Sequence, residues 1–325
     1  VKPATLTSFV TEVVVKDIIA SGILPDGALQ LICGSARTLL DNVCYQDVVT
    51  FTGSASTGIL LKSNPNILRE AVPFNMEADS LNCIILGQDA SPGSNEFELF
   101  VKEVRKEITI KCGQKCTAVR RIMVPEDVME EVQIALGEAL SQTAIGDPRA
   151  EGVRMGALAG QTQRNEVRDN LAELMKGSEL VYGDPNSVSV TGADAEKGAF
   201  MSPILLLNKD PWKNQQSHNI EAFGPVSTLM PYSTIDDAVA LTKLGKGSLC
   251  ASIATYDDKV AQQFVWGAAS HHGRMLVINR DMAKENTGHG SPLATLVHGG
   301  PGRAGGGEEM GGKRGVLHYL QRTAI

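Results

Sequence analysis

Residues 108–124 read ITIKCGQKCTAVRRIMV. The stretch begins at the end of a helix-like segment, Gly113 permits a tight turn, and the β-branched run RRIMV predicts a strand. A helix followed by a turn and a strand is the repeating unit of α/β proteins. The same stretch holds two of the chain's six cysteines, Cys112 and Cys116. It therefore indicates the fold class and raises the question of what the thiols do.

Strand-like and helix-like segments alternate on both sides of this stretch. The predicted strands are ALQLICG (28–34), DVVTF (47–51), AVPFNME (71–77), NCIILG (82–87), RRIMV (120–124) and the terminal GVLHYLQRTAI (315–325). The predicted helices cover 6–21, SARTLLDN (35–42), a segment after TGSASTG to about residue 64, NEFELFVKEVRKEITI (95–110) and a segment headed by Pro125. Residues 183–199 are predicted to form a loop. This alternation predicts βαβ units and a parallel sheet.

Composition limits the classes of function. A chain of 325 residues that is 42% hydrophobic can bury a large core and suggests two domains. The net charge of -7, without a basic run, argues against a nucleic-acid partner. No apolar stretch is long enough to cross a membrane. Six scattered cysteines in a chain this large are typical of reduced thiols, so we expect a cytoplasmic protein.

Four interpretations of the two thiols were weighed. The spacing Cys-x-x-x-Cys lacks the second pair that a zinc site needs, so no metal is predicted. A disulfide is disfavoured in the cytoplasm. Buried thiols are the interpretation for five of the cysteines. Cys116 differs because it follows the turn GQK, where its backbone N–H is free to face a ligand. We interpret Cys116 as a nucleophile, which then needs activation or a nearby base.

Two further features are candidates for the same site. Glu77 closes the strand AVPFNME at the junction between two α/β units, where such proteins place their ligand crevice. It is a candidate base, although its position alone favours a solvated carboxylate at a strand end. The turn Thr52-Gly53-Ser54 precedes a predicted helix, whose first N–H groups can hold a diphosphate. Gly-Ser turns are common, so this signal is weak by itself.

Two other patterns are rejected as sites. GGPGRAGG (299–306) satisfies G-x-G-x-x-G, but GGEEMGG follows it and cannot begin a helix, so it is not a dinucleotide fingerprint. We interpret it as a loop that lets the backbone pass close to another segment. Four histidines lack metal-ligand spacing and are interpreted as surface or loop residues: His271, His272, His289 and His298.

In their order and spacing, five motifs resemble the aldehyde dehydrogenase superfamily. They are KPAT (2–5), FTGS (51–54), MEAD (76–79), GQKCTA (113–118) and EAFGPV (221–226). The resemblance implies an aldehyde dehydrogenase fold with Cys116 as nucleophile and Glu77 as base. It also implies cofactor contacts, with the carboxylate of Glu221 on the nicotinamide ribose. The implied contacts come from Lys2, Thr5, Gly34, Ser35, Thr52, Gly53, Ser54, Glu221 and Phe223.

The stretches TGHGSPL (287–293) and LVHGGPGRAGGGEE (296–309) are similar to the branch of that family that acts in phenylacetate degradation. The similarity implies that a CoA-linked semialdehyde is oxidised to the acid through a cysteine thioester, with NADP or NAD as cofactor. Two alternatives stay open. One is an inactive dehydrogenase-like fragment with a binding role. The other is a CoA-acylating dehydrogenase, which the carboxylate at Glu77 disfavours.

The resemblance also predicts the domain organisation. It divides the chain into a carboxyl-terminal part of a dinucleotide-binding domain (1–78), a catalytic domain (79–290) and a return segment with an oligomerisation strand (291–325). A terminal strand that pairs with a sister subunit implies at least a dimer. The family's second oxyanion donor, an Asn, precedes the Lys-Pro motif. We therefore expect residues 1–325 to be a portion of a longer polypeptide and a poor or inactive enzyme alone.

Cofactor preference gives a first prediction. Many NAD-using family members carry Glu at the position of Thr5, where it repels the 2′-phosphate of NADP. Like charges about 4 Å apart near a protein surface cost up to about 4 kcal/mol, and about 1.4 kcal/mol is tenfold in affinity. Thr5→Glu should therefore lower the ratio of kcat/KM with NADP to kcat/KM with NAD by roughly tenfold or more. Thr7→Glu is the control, and a wild-type protein that is faster with NAD would refute the prediction.

Overall fold

The computed structural model describes residues 1–36, 38–293, 295–309, 312–321 and 323–325. The chain divides into two compact units. The first consists of Val1–Val49 and Ile59–Phe74, and the second of Thr50–Gly58 and Asn75–Ile325. The boundaries between these two units do not coincide with the predicted domain boundary at residue 78. The division into three domains stays a prediction.

The regular elements are as follows. The strands are β1 Val49–Thr52, β2 Phe74–Glu77, β3 Cys83–Leu86, β4 Arg121–Pro125, β5 Glu179–Tyr182, β6 Ile204–Leu207, β7 Val226–Tyr232, β8 Ser248–Ala254, β9 His272–Ile278, β10 His298–Gly299 and β11 Glu308–Glu309. The α-helices are α1 Ser8–Ala20, α2 Ala55–Lys62, α3 Pro65–Arg69, α4 Asn95–Thr109, α5 Met129–Ser141, α6 Gln161–Leu174, α7 Gln216–Asn219, α8 Ile235–Lys243, α9 Asp258–Ala268 and α10 Gly312–His318. Short 3₁₀ helices cover Thr5–Thr7, Leu39–Asn42, Ile110–Gly113, Glu126–Val128, Ala269–His271, Arg280–Met282 and Gly302–Ala304.

The first unit departs from two sequence predictions. The strand predicted at 28–34 is wrong, because this segment has no regular structure apart from single bonds such as the Ile32 N–H to the Val1 carbonyl. The helix predicted at 35–42 shortens to the 3₁₀ turn Leu39–Asn42, and Arg37 lies outside the described residues. A short apolar run becomes a strand only where a neighbouring strand pairs with it, which sequence periodicity cannot reveal.

Helix α1 confirms the prediction of a helix at 6–21, but all except one of its large apolar side chains are exposed. Val15 is the buried residue of this helix, whereas Phe9 is 81% exposed. The helical spacing of apolar residues therefore predicts this helix correctly, but it does not predict which segment covers the apolar face.

A seven-stranded sheet organises the second unit. Its strand order is β5-β6-β7-β4-β3-β8-β9, with β5 antiparallel to β6 and the other five pairings parallel. The central strand β4 is buried along its whole length, as are its neighbour β3 and the next strand, β8. Strands that are buried on both faces consist mainly of consecutive apolar residues, and this pattern predicts the strands at NCIILG and RRIMV. The predicted parallel α/β architecture is confirmed.

Helix α4 covers one face of this sheet. The Ser94 side chain accepts a hydrogen bond from the Phe97 N–H and caps the first turn. The helix buries Phe97, Phe100, Val104 and Ile108 against the sheet, at the three- and four-residue spacing of one helical face. It delivers the chain to the turn that holds Cys116.

The terminal segment differs from its prediction. Residues predicted as the strand GVLHYLQRTAI begin inside helix α10 instead. A helix satisfies its backbone N–H and C=O groups within the segment, whereas a strand needs a partner for them. The prediction of a dimer through this strand therefore loses its structural basis, although a dimer itself stays a prediction. Residues 183–199 form the predicted loop, with one isolated bridge at Thr191.

No helix in the described part of the chain is long and apolar enough to cross a membrane.

Arg121 lies at the start of β4 and is fully buried. Its guanidinium donates to the backbone carbonyls of Leu81, Leu241 and Thr242 at 2.9–3.0 Å. The last two carbonyls belong to the final turn of helix α8, where helical carbonyls lack i+4 partners and here accept only the N–H groups that cap the helix end. Arg121 therefore connects β4 to the segment before β3 and to the end of α8.

We predict that Arg121→Met destabilises the protein by about 3 kcal/mol, because the Leu81 carbonyl loses its side-chain donor and the two α8 carbonyls keep only the N–H groups of the helix end, and a buried group left unpaired costs about 1–3 kcal/mol. A loss of this size should lower the thermal unfolding midpoint by roughly 6 °C or more. Arg154→Met is the matched control, because the Arg154 side chain is exposed. Equal midpoints for the two variants would contradict the role assigned to Arg121.

Candidate active site

One cavity of about 380 Å³ in the second unit collects most of the predicted site residues. Seven of them line it: Thr52, Gly53, Ser54, Glu77, Cys116, Glu221 and Phe223. Ala78, Asp79 and three residues of α6, Gln163, Glu166 and Asn170, complete the wall. Residues from five separate stretches of sequence therefore face one space.

The other predicted cofactor residues belong to the first unit. Lys2, Thr5, Gly34 and Ser35 are all exposed there. Thr5 begins a 3₁₀ turn, and Gly34 has a φ of 103°, in the left-handed region that favours glycine. Their assignment to the adenosine side of a cofactor stays a prediction.

The turn before Cys116 has an unusual backbone. Lys111, Cys112 and Gly113 have φ values of 51°, 53° and 67°, so three successive residues are left-handed. Side chains disfavour this region, and it persists only where surrounding contacts hold it. A Cβ at Gly113 would lie 2.1 Å from the Gly224 carbonyl oxygen. Glycine is therefore required at 113, because the EAFGPV segment passes directly against the turn.

Two buried side chains hold this turn in place. The Asn82 amide donates to the carbonyls of Cys116 and Ala118 at 2.8 and 3.0 Å. The Arg120 guanidinium donates to the carbonyls of Gly113 and Gly224 at 2.8 and 2.6 Å. Carbonyls on both sides of Cys116 are thus fixed, and no hydrogen bond in the described part of the chain uses the Cys116 backbone N–H.

Glu77 is held from both sides by the Gly-rich loop. The Gly307 N–H donates to the Met76 carbonyl, and the Ala78 N–H donates to the Ala304 carbonyl, both at 3.0 Å. A Cβ at Gly307 would lie 2.3 Å from the Asn75 side chain. The interpretation of this loop as a close backbone approach is therefore confirmed, and the loop locks the strand that carries Glu77.

Cys116, Glu77 and His298 meet at the bottom of the cavity. Their donor atoms all lie within 4.8 Å of one another. His298 Nε2 is 3.2 Å from Glu77 Oε2 and 3.8 Å from Cys116 Sγ. The Glu77 side chain is buried, and burial alone would raise its pKa, but hydrogen bonding and charge from His298, with hydrogen bonds from Cys116 and Glu309, lower the pKa overall. Burial, and then the charge of Glu77, raise the pKa of the Cys116 thiol well above its ordinary value.

The interpretation of the histidines as surface or loop residues is wrong for His272 and His298, which are buried in strands β9 and β10. His289 lies in a loop as predicted but is buried, and His271 is partly exposed. His298 was missed because nothing near it in sequence marks it, and it reaches Cys116 only through the pairing of β10 with β11. Arg274 Nη2 lies 3.4 Å from its Nδ1. A guanidinium only donates, so Nδ1 accepts and the neutral ring carries its proton on Nε2. A protonated nitrogen facing the cluster does not ligate a metal.

The six cysteines are free thiols. Cys83, Cys112 and Cys250 are buried, as expected, and burial raises the pKa of each. The prediction of burial is wrong for Cys33, which is exposed, and for Cys44, which is partly exposed. Both lie in the first unit, in segments without a strand. Cys116 differs from the three buried thiols because it lines a cavity.

The cofactor side of the cavity is built around Glu221. Burial, and then the charge of Asp79, raise the pKa of Glu221 to about 7, although Arg120 lies only 3.5 Å away and lowers it. The Glu221 Oε1 atom is buried without a hydrogen-bond partner in the described part of the chain. Phe223 is partly exposed beside it, with Arg120 packed over its ring at 5.4 Å. A buried carboxylate oxygen that accepts no hydrogen bond, beside an aromatic ring, fits a nicotinamide riboside.

The turn at Thr52–Ser54 fits a diphosphate less well than its sequence indicated. The first N–H of helix α2, at Ala55, already donates to the Asp79 carboxylate at 2.8 Å. The Thr57 N–H donates to the Ser54 hydroxyl. An anion at this helix start would face a carboxylate, a feature that sequence could not show because Asp79 is 24 residues away.

Comparison with known proteins agrees with this geometry. A family model described as "Aldehyde dehydrogenase family" matches residues 1–325. The chain is 43% identical over 300 residues to the 3,4-dehydroadipyl-CoA semialdehyde dehydrogenase of Aromatoleum evansii, which is 92% of this chain and 58% of that protein. It is 46% identical over 172 residues to Protein MaoC of Klebsiella aerogenes, 53% of this chain and 50% of that protein.

Among solved structures, a point mutant of Staphylococcus aureus betaine aldehyde dehydrogenase, solved with NAD+, superposes with a TM-score of 0.83 and 22% identity. The superposition covers 98% of this chain and 61% of that one. At this identity the likeness concerns the fold. The protein therefore has the aldehyde dehydrogenase fold, and it belongs to the aldehyde dehydrogenase family. The chain spans between half and about three fifths of the length of these three proteins.

Proposed function

We propose that the protein oxidises an aldehyde to the carboxylic acid with a nicotinamide cofactor, through a thioester on Cys116. One observation supports this most directly: Cys116 and Glu77 line the same cavity as Glu221 and Phe223. A thiol and a carboxylate at one end, with an unpaired acceptor and an aromatic ring nearby, are the groups that this reaction requires.

In the first half of the reaction, the Cys116 thiolate forms a C–S bond with the aldehyde carbon. The π electrons of the carbonyl move to oxygen, and the resulting oxyanion accepts a hydrogen bond from the Cys116 N–H, which is otherwise unused. Departure of hydride with its electron pair re-forms the C=O bond and oxidises the adduct to a thioester.

A bound nicotinamide cofactor supplies the hydride acceptor. Glu221 and Phe223 would hold its nicotinamide riboside in the cavity. For its adenosine side, the family resemblance implies Lys2 and Thr5. We propose NADP as the preferred cofactor, because Thr5 carries no charge that would repel a 2′-phosphate.

In the second half, Glu77 removes a proton from water while the water oxygen bonds to the thioester carbon. The C–S bond breaks, the acid leaves, and Cys116 departs as a thiolate. Glu77 is an anion because its pKa lies below the ordinary value, so it is ready to act as this base. A base in this position favours water over coenzyme A as the acyl acceptor.

The substrate that we propose is a semialdehyde linked to coenzyme A, of the kind formed in phenylacetate-type aromatic degradation. Support comes from the similarity to the 3,4-dehydroadipyl-CoA semialdehyde dehydrogenase of A. evansii. Coenzyme A would then be part of the substrate and not the acceptor.

The function predicts reduction of NADP by a CoA-linked semialdehyde, at the same rate with or without free coenzyme A. Free acid should accumulate. A strict requirement for free coenzyme A would indicate the acylating alternative. No reduction with either cofactor, by the 325-residue protein or by a version extended upstream, would indicate the non-catalytic alternative.

In the same assay Cys116→Ala should abolish turnover, whereas Cys112→Ala should keep most of it. Both thiols lie in one turn, but Cys112 packs into an apolar cluster and only Cys116 lines the cavity. The Cys112 variant is thus a matched control for disturbance of the turn. Similar losses in the two variants would overturn the assignment of the nucleophile.

Glu77→Gln should preserve a first-turnover burst of reduced cofactor and then stall as a thioester. The negative charge of Glu77 raises the pKa of the Cys116 thiol, so removing it does not harm the nucleophile, while the base for water is lost. Rapid-mixing absorbance and intact-protein mass measure the burst and the thioester. Loss of the burst together with turnover would mean that Glu77 is needed before hydride transfer.

A further inference from the structure

His298 is a buried group for which the proposed reaction has no role. Its Nε2 atom faces two groups at once, the Glu77 carboxylate at 3.2 Å and the Cys116 sulfur at 3.8 Å. The contact with Glu77 Oε2 lacks the alignment of a regular hydrogen bond. One nitrogen thus contacts both the base and the nucleophile, with hydrogen-bond geometry toward the sulfur.

The other side of the ring decides what His298 can do. Arg274 from β9 approaches Nδ1 at 3.4 Å, and its guanidinium can only donate. In the neutral ring the proton is therefore on Nε2, the atom that faces Cys116. A nitrogen that already carries its proton cannot accept another one, so neutral His298 is not the base that deprotonates the thiol.

The charged and titratable groups around His298 come from four elements. Glu77 faces it from β2, Cys116 from the turn after α4, Arg274 from β9 and Glu309 from β11, its pairing partner. Burial raises the pKa of Glu309, and the charge of Glu77 raises it further, while the Thr52 hydroxyl donates to its carboxylate. Glu77 is therefore the nearest anion, and it opposes a second negative charge on Cys116.

We propose that His298 is a fixed hydrogen-bond donor that serves Glu77 and the Cys116 thiolate in turn. While Cys116 is a thiol, Nε2 lies in ion-pair contact with the carboxylate and within 3.8 Å of the sulfur. When the thiol releases its proton to water, the same N–H donates to the sulfur. Arg274 acts through His298 as a positioning residue, because it sets the tautomer.

This role deepens the proposed function and rests on it for its place in the reaction. The thiolate appears twice there, before it attacks the aldehyde and when it leaves the thioester. A donor to sulfur stabilises both states, and no proton is transferred to or from the ring. A hydrogen bond to a charged group shifts an equilibrium by roughly tenfold or more.

The test is the alkylation rate of Cys116 by iodoacetamide, followed by peptide mass across a series from about pH 6 to about pH 10. The assay needs neither aldehyde nor cofactor, so its outcome is independent of whether the protein oxidises aldehydes. Two replacements separate donor from base. His298→Gln keeps an N–H near the place of Nε2 but cannot titrate, and His298→Phe keeps a ring without a donor.

We expect His298→Phe to slow Cys116 alkylation roughly tenfold at each pH of the series, because the rate follows the thiolate fraction and a lost hydrogen bond to the thiolate lowers that fraction. His298→Gln should stay within about threefold of the wild type. His272→Gln is the control for replacing a buried histidine, since His272 bonds to Ser248 and does not face Cys116.

Two results would overturn the proposal. If His298→Phe leaves the rate of Cys116 alkylation unchanged across the pH series, the contact with sulfur does not stabilise the thiolate. Equal losses for the Gln and Phe variants would mean that the imidazole acts as a base and that the tautomer is the opposite one. Should His298→Phe fail to fold, Arg274→Met provides the second measurement. Freed from the guanidinium, the ring can carry its proton on Nδ1, so alkylation should slow without loss of the imidazole.

Discussion

The amide of Asn82 is the contact on which the site depends. It is fully buried, and its nitrogen donates to the carbonyls of Cys116 and Ala118. Its oxygen accepts hydrogen bonds from the Cys250 N–H at 3.0 Å and the Ser80 hydroxyl at 2.6 Å. One side chain thus joins the nucleophile turn to the segment before β3 and to the start of β8. Because a buried amide left unpaired is costly, these four bonds form together or not at all.

A second constraint places Glu77. The Gly-rich loop bonds to the backbone on either side of it, and glycines at 305 and 307 allow the two chains to approach. The same loop begins with β10 and ends with β11, which carry His298 and Glu309. The base, its hydrogen-bond donor and a second carboxylate are therefore positioned by one docking event between residues more than 200 apart in sequence.

These contacts create an electrostatic conflict. A buried carboxylate close to a buried thiol makes the thiolate unfavourable, yet the proposed reaction needs the thiolate first and the carboxylate second. His298 lies beside both Glu77 and Cys116, and Arg274 contacts the other side of its ring. A donor between the two groups can stabilise each when it is charged, whereas the charge of Glu77 only opposes the Cys116 thiolate.

The sequence by itself determined the α/β class, the parallel order of the main elements and the identity of Cys116 and Glu77 as candidates. Continuous apolar runs and a Gly turn are local sequence patterns, so they can be interpreted without knowledge of the fold. Only the tertiary structure revealed His298, the Asp79 contact at helix α2 and the helical terminal segment. These features depend on contacts between residues that are distant in sequence. Whether a histidine is buried, and whether a segment forms a helix or a strand, is decided by the segment that packs against it and not by its neighbours in sequence.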